Sequence, residues 1–266
     1  MKIGFVGAGR MGRPMVSRLL AAGHEVRAVG RTAEKRGQLA QLGAIPVAQV
    51  DEAGSQAGIV IVCVFTDDQV RQVCLGGELP GCMPPGSALV VHTTASPATI
   101  DAIAARADGI DVVDAAVSGG PHDVAAGTLT LFVGGSDDAV ARVRPVLSCY
   151  GDPVLHVGPR GVGLKVKLVN NALFAGQLGL LAEAVRLGKR LGVPESALLA
   201  ALPHGSATSR VLHLVAARES VESFIETTGD FVGKDVAVVR RVAAELGGDL
   251  GALDDVIGAI DVAGRV

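Results

Sequence analysis

The feature that most constrains this chain lies in its first twelve residues. Lys2-Ile-Gly-Phe-Val-Gly-Ala-Gly-Arg-Met-Gly12 sets Gly7, Gly9 and Gly12 at Gly-x-Gly-x-x-Gly spacing between a β-type run, Lys2–Val6, and a helical pattern, Met11–Ala22. A second β-type run, Glu25–Val29, follows. Gly7 permits a tight turn, Gly9 lets a ligand approach the backbone, and Gly12 lets helix and strand pack closely. The helix start offers unpaired N–H groups and the positive end of its dipole to an anion. Alone, the spacing also fits a glycine-rich turn with no ligand. Inside a strand–turn–helix–strand unit it predicts a dinucleotide pyrophosphate at Gly7, Ala8, Gly9, Arg10, Met11 and Gly12.

The alternation continues. β-type runs at Ile45–Val47, Ile59–Phe65, Ala88–His92, Val112–Ala115, Leu129–Val133 and Val154–His156 are interleaved with helical patterns at Ala33–Leu42, from Asp68, at Pro97–Ala107 and at Asp137–Leu147. This predicts an α/β fold with a Rossmann-type, mostly parallel sheet over residues 1–160. Beyond Gly158 the pattern changes. Residues 161–191 form one long helical stretch that is apolar nearly all round, as a buried helix is. Helical patterns follow at Glu195–Leu202, Ser209–Ala217, Phe231–Leu246 and Leu250–Ile260, punctuated by Pro194, Pro203 and Gly229. The expected second domain, 161–266, is therefore all-α, joined to the first by the long helix.

Bulk properties exclude several function classes. A formal net charge of −3 with no Lys/Arg run argues against nucleic acid or an anionic membrane as partner. Aromatics at 3% with no Trp leave no base-stacking platform. Cys63, Cys74, Cys82 and Cys149 form no Cys-x-x-Cys and no zinc spacing, so no metal is expected and reduced thiols fit a cytoplasmic protein. The long helix, with so much apolar surface, predicts a homodimer or homotetramer.

The end of the second strand should read the adenosine ribose. An acid there selects NAD; its absence, with an Arg in place, suits a 2′-phosphate. This chain has Gly30-Arg31-Thr32, so NADP is preferred and NAD stands second. Phe65-Thr66 and Thr94, after later strands, would line the same edge.

Two segments carry candidate chemistry. Asp114-Ala-Ala-Val-Ser-Gly-Gly120 ends a strand with a hydroxyl on Ser118 and exposed N–H groups on Gly119 and Gly120, a combination that suits a carboxylate ligand. In Gly161-Val-Gly-Leu-Lys-Val-Lys-Leu-Val-Asn-Asn171, Lys167 and Asn171 are four apart on one helix face. Polar groups on an apolar helix are costly unless paired or used. Spacing alone leaves Lys167 open between proton transfer and an ion pair.

These residues together resemble the β-hydroxyacid dehydrogenase family, of the 3-hydroxyisobutyrate dehydrogenase, tartronate semialdehyde reductase and glyoxylate/succinic semialdehyde reductase type. Gly7 to Met15 with Ala22-Gly-His24, Ser118-Gly-Gly120 with Gly127-Thr-Leu129, Gly161 to Asn171, and Lys234-Asp235 resemble four of its motifs, in order, over essentially the whole chain. The resemblance implies an oxidoreductase that moves hydride between NADP and a small carboxylate-bearing 3-hydroxy acid or semialdehyde. It implies Lys167 as general acid/base and Asn171 positioning the substrate oxygen. Ser118, Gly119 and Gly120 would hold the carboxylate, and Thr94 and Lys234 would contact the cofactor. Two departures stand out. No Gly-x-x-Asp-x-Ser-Ala stretch follows Asp235, and His122 is atypical, reading as an exposed loop residue. An imine-reductase-like enzyme and a non-catalytic NADP-binding sensor or scaffold are the alternatives; Lys167 argues against the first, and Ser118, Lys167 and Asn171 together against the second.

Overall fold

The structure is a computed structural model that describes residues 1–77 and 79–263; residues 264–266, the end of the expected helical domain, lie outside the described residues. The chain divides into two compact units, Met1–Lys167 and Leu168–Val266.

The first unit is an eight-stranded sheet of β1 (Lys2–Val6), β2 (Glu25–Val29), β3 (Ile45–Val47), β4 (Ile59–Val62), β5 (Ala88–Val91), β6 (Asp111–Ser118), β7 (Leu129–Gly134) and β8 (Gly151–Gly158) in the order β3-β2-β1-β4-β5-β6-β7-β8. The first six strands in that order are mutually parallel; β7 runs antiparallel to β6, and β8 parallel to β7. Helices α1 (Gly12–Ala21), α2 (Ala33–Gln41), α3 (Val50–Gly54), α4 (Asp67–Cys74), α5 (Leu79–Cys82), α6 (Pro97–Ala104), α7 (Pro121–Ala126) and α8 (Asp137–Leu147) make the connections. Strands β4 and β5 are buried at every residue, which is why they read as unbroken apolar runs. Their side chains alternate between two cores. Ile59, Ile61 and Val90 pack with Met15, Leu19 and Val143, whereas Val60, Val62 and Val91 pack with Val70, Ile100 and Ile103.

Helix α9 (Val162–Arg190) starts in this unit. The helical unit continues with α10 (Glu195–Ala201), a 3-10 turn (Leu202–His204), α11 (Arg210–Ala216), α12 (Val221–Glu245) and α13 (Ala252–Ala263). Its core gathers Leu178, Leu199, Val211, Val215 and Phe224, with Ala175, Val236 and Ile257 alongside. A Cβ on Gly179 would strike the Val256 carbonyl, so α9 and α13 cross closely only because residue 179 is glycine.

Several expected boundaries move. Strand β4 stops at Val62, whereas β6 and β8 extend beyond the short runs expected for them. Helix α7 was not expected, although Pro121 at its first turn and Asp123 at its third position are helix-start signals. Helix α12 begins ten residues before Phe231, where the Ser220 side chain accepts from the Ser223 N–H. Gly229 lies inside it; an interior glycine costs only about 1 kcal/mol relative to alanine and does not break a well-packed helix.

Candidate active site

The site residues of the first unit converge because of strand register. Val6, Val62, Val91 and Asp114 are paired across β1, β4, β5 and β6. The glycine turn after β1, Phe65-Thr66 after β4, Thr94 after β5 and the far half of β6 therefore lie along one sheet edge. That is where ligands bind in open α/β sheets.

At the glycine turn, Gly7 has φ +98°, and a Cβ there would run into the Cys63 carbonyl. A Cβ on Gly12 would meet the Gly7 carbonyl and come within 2.7 Å of the Phe5 ring, so helix α1 sits against the strand end. Gly9 differs: nothing lies within 4 Å of where its Cβ would stand. The first two glycines are demanded by the protein's own packing. Gly9 is demanded by nothing in the fold, and its open side fits a ligand that approaches the backbone. The turn thus suits a dinucleotide pyrophosphate, with Ala8, Arg10 and Met11 around it.

Beyond β2, Arg31 is exposed, and no acid occupies the strand end. Thr32 and Thr66 are the N-caps of α2 and α4, accepting from the N–H groups of Lys35 and Gln69 at 3.2 Å each. Each hydroxyl keeps its own proton to donate. Sequence reading missed Arg36, whose guanidinium donates to the Gly30 carbonyl at 2.8 Å and whose Cγ and backbone occupy the space a Cβ on Gly30 would need. Phe65 presents a half-exposed ring. Thr93 ties β4 to β5 through the N–H and carbonyl of Val64. Its neighbour Thr94 is buried and makes no side-chain hydrogen bond among the described residues.

The start of α9 is held by Asp114. Its carboxylate, fully buried in β6, accepts from the N–H groups of Gly161 at 2.6 Å and Leu164 at 2.8 Å. Burial pushes the Asp114 carboxyl above the usual range, and these backbone donors pull it back. Gly163 and Gly134 leave room for the junction, because a Cβ on either would crowd Asp114. Leu164 packs with Val6, Val62, Val91 and Ala116. Lys167, three residues on, shares its helix face and is only 8% exposed. Asn171 and Lys234 belong to the helical unit. Asn171 is buried and its Nδ2 has no hydrogen-bond partner among the described residues; Lys234 Nζ lies 3.2 Å from Asp235 Oδ1. Among the described residues no group of three or more His, Cys, Asp or Glu is arranged to hold a metal.

The turn after β6 differs from expectation. Ser118 ends the strand opposite Thr130, and Gly119 adopts φ +133°. The N–H of Gly120, expected to be open, is donated to Asp123 Oδ2 at 2.6 Å, because Asp123 folds back as the third residue of α7. His122 is exposed, with Nε2 3.3 Å from the same oxygen.

Comparison with known proteins identifies one family over both units. Residues 2–158 match the family described as the NAD binding domain of 6-phosphogluconate dehydrogenase. Residues 161–263 match that described as the NAD-binding domain of NADP-dependent 3-hydroxyisobutyrate dehydrogenase. The chain is 34% identical to 2-(hydroxymethyl)glutarate dehydrogenase of Eubacterium barkeri, over 88% of this chain and 76% of that protein. It is 32% identical to L-threonate dehydrogenase of Cupriavidus necator, over 80% and 75%. The structure of Mycobacterium tuberculosis 3-hydroxyisobutyrate dehydrogenase with L-serine superposes with a TM-score of 0.85 at 27% identity, over 99% of this chain and 92% of that one. The two family matches together span nearly all of the described residues, and the chain belongs to the β-hydroxyacid dehydrogenase family of NAD(P)-dependent oxidoreductases.

Proposed function

We propose that this chain transfers hydride reversibly between NADP(H) and a small 3-hydroxy acid or its semialdehyde, with Lys167 as the general acid/base. The observation that carries this reading is Lys167 itself: a buried lysine one turn before a buried asparagine, on a helix whose start is fixed by three features of one edge, Asp114, Gly134 and Gly163. A bound nicotinamide would supply or accept the hydride. In reduction, the Lys167 ammonium donates a proton to the oxygen that becomes the hydroxyl; in oxidation, the neutral amine takes it back. Asn171 Nδ2 orients that oxygen. The Ser118 hydroxyl and the Gly119 N–H hold the substrate carboxylate. Arg31 supports NADP over NAD because a guanidinium matches a 2′-phosphate and no carboxylate opposes it.

The reading extends to assembly and location. Helix α9 is long and apolar enough to cross a membrane by composition, but half of its most apolar window is buried within the protein, as in a core helix. Its exposed side chains include Val169, Leu173, Leu180 and Leu187, with Leu191 just past its end. Gaps of four, seven, seven and four residues repeat the spacing by which one helix seats against another. We therefore take the chain to be a cytoplasmic homodimer or homotetramer.

Small 3-hydroxy acids and semialdehydes, assayed with NADP and with NAD, test the reaction. Lys167→Ala should lower kcat by about 10²–10⁴-fold. Arg31→Ala should weaken NADP use by about tenfold and leave NAD use nearly unchanged. Activity that survives Lys167→Ala would overturn the mechanism.

A further inference from the structure

The turn assigned to the substrate carboxylate already contains a carboxylate of the protein's own. Asp123 Oδ2 takes the Gly120 N–H at 2.6 Å. The fit is close from the other side too, since a Cβ on Gly119 would lie 2.7 Å from the same oxygen. The Asp123 side chain is only 17% exposed. Its polar contacts, from Gly120 and from His122, both fall on Oδ2, and Oδ1 has no hydrogen-bond partner among the described residues. A substrate carboxylate at Ser118 and Gly119 would therefore lose one of three expected donors. It would also meet a fixed negative charge and one unused acceptor oxygen.

Resting on the functional reading above, we propose that Asp123 determines the specificity of this site. It withholds the Gly120 N–H from the substrate, and through Oδ1 it accepts a hydrogen bond from a donor on the carbon that bears the carboxylate. A carboxylate beside Asp123 is repelled unless the same molecule supplies a compensating donor close by. A hydroxyl or an ammonium on C2 supplies it, the ammonium with opposite charge as well. A methyl group on C2 supplies nothing and leaves Oδ1 desolvated and unpaired. The substrates selected are 3-hydroxy acids with a 2-hydroxyl or 2-ammonium group, over those with a 2-methyl group. The reaction at C3 is unchanged; Asp123 acts on binding.

The test needs no turnover. The full chain saturated with NADPH is titrated by calorimetry with serine, glycerate and 3-hydroxy-2-methylpropanoate, which cannot react with the reduced cofactor. Wild type should bind serine and glycerate at least about tenfold more tightly than the methyl compound. Asp123→Ala frees the Gly120 N–H and removes the charge, so the preference should fall to about twofold or less while the methyl compound binds more tightly. Asp123→Asn keeps an acceptor for Gly120 and so preserves the turn; it should lose the serine preference and retain part of that for glycerate. Equal binding of the three acids by wild type, no detectable binding of any, or a preference untouched in both variants would overturn the proposal. Turnover of these acids with NADP is measured separately. Selective binding without turnover would count against the dehydrogenase reading and leave the assignment of Asp123 standing.

Discussion

His92 shows how much a single buried side chain can fix. It follows the last residue of β5, two positions before Thr94, with no exposure to solvent worth the name. Its Nδ1 donates to the Ala115 carbonyl at 2.5 Å, and its Nε2 accepts from the Tyr150 hydroxyl at 2.8 Å. Both ring nitrogens are thus used in the neutral form. Burial pulls its pKa down to about 4, against a small opposing pull from the Ala115 carbonyl. In the unfolded chain an ordinary histidine binds its proton near pH 6.5. Between those values the unfolded state holds more protons, so this contribution is complete above about pH 6.5 and is lost as pH falls towards 4. At pH 5 the expected loss is about 2 kcal/mol relative to neutral pH. Urea unfolding at both pH values should show it in wild type and not in His92→Phe; an equal acid loss in the two proteins would sink the assignment. The histidine was invisible in the sequence as a structural residue. Its partners lie 23 and 58 positions away, and nothing local marks them.

At the level of elements, the parallel strands and their helices were legible because burial on both faces writes itself as unbroken apolar runs. The glycine turn was legible because Gly7 and Gly12 answer backbone demands at a fixed offset, with the open Gly9 between them. Less visible were features that join distant elements. Asp114 sits in an apolar strand, where an acid must find partners, yet the sequence could not say that the partners are the first N–H groups of α9. Asp123, three residues after Gly120, was passed over although its spacing matches a capping box. The Asp114 junction carries its own expectation. Asp114→Asn presents an N–H₂ where two backbone N–H groups converge, and should cost about 2–4 kcal/mol of stability. Displacing the start of α9 by a fraction of an ångström should lower kcat about 10–100-fold. The glycine turn is separate, so NADP affinity should stay within about twofold. A parallel fall in kcat and NADP affinity would show that Asp114 supports the whole sheet rather than the placement of Lys167.

At the scale of the whole molecule, the apolar stripe of α9 carries the proposed assembly. So regular an apolar face is seldom left in water. Light scattering should show a dimer or tetramer, and Leu180→Lys together with Leu187→Lys should shift it towards monomer. A wild-type monomer at all concentrations would refute the assembly. At this scale the sequence conveyed the two-part plan but not the reversal of β7, since a strand's direction depends on partners rather than on its own residues.

That reversal has a further consequence. Because β7 runs against β6, the connection from Ser118 to Leu129 leaves and rejoins the sheet at the same edge, with Ser118 paired to Thr130. Every parallel crossover must travel back the full length of the sheet; this segment does not. It is pinned to the core by Val124, and its exposed positions can change without altering the path of any strand. The segment that contains Asp123 is therefore a short anchored excursion, whose outward residues can retune the choice of acid while the strands keep their course.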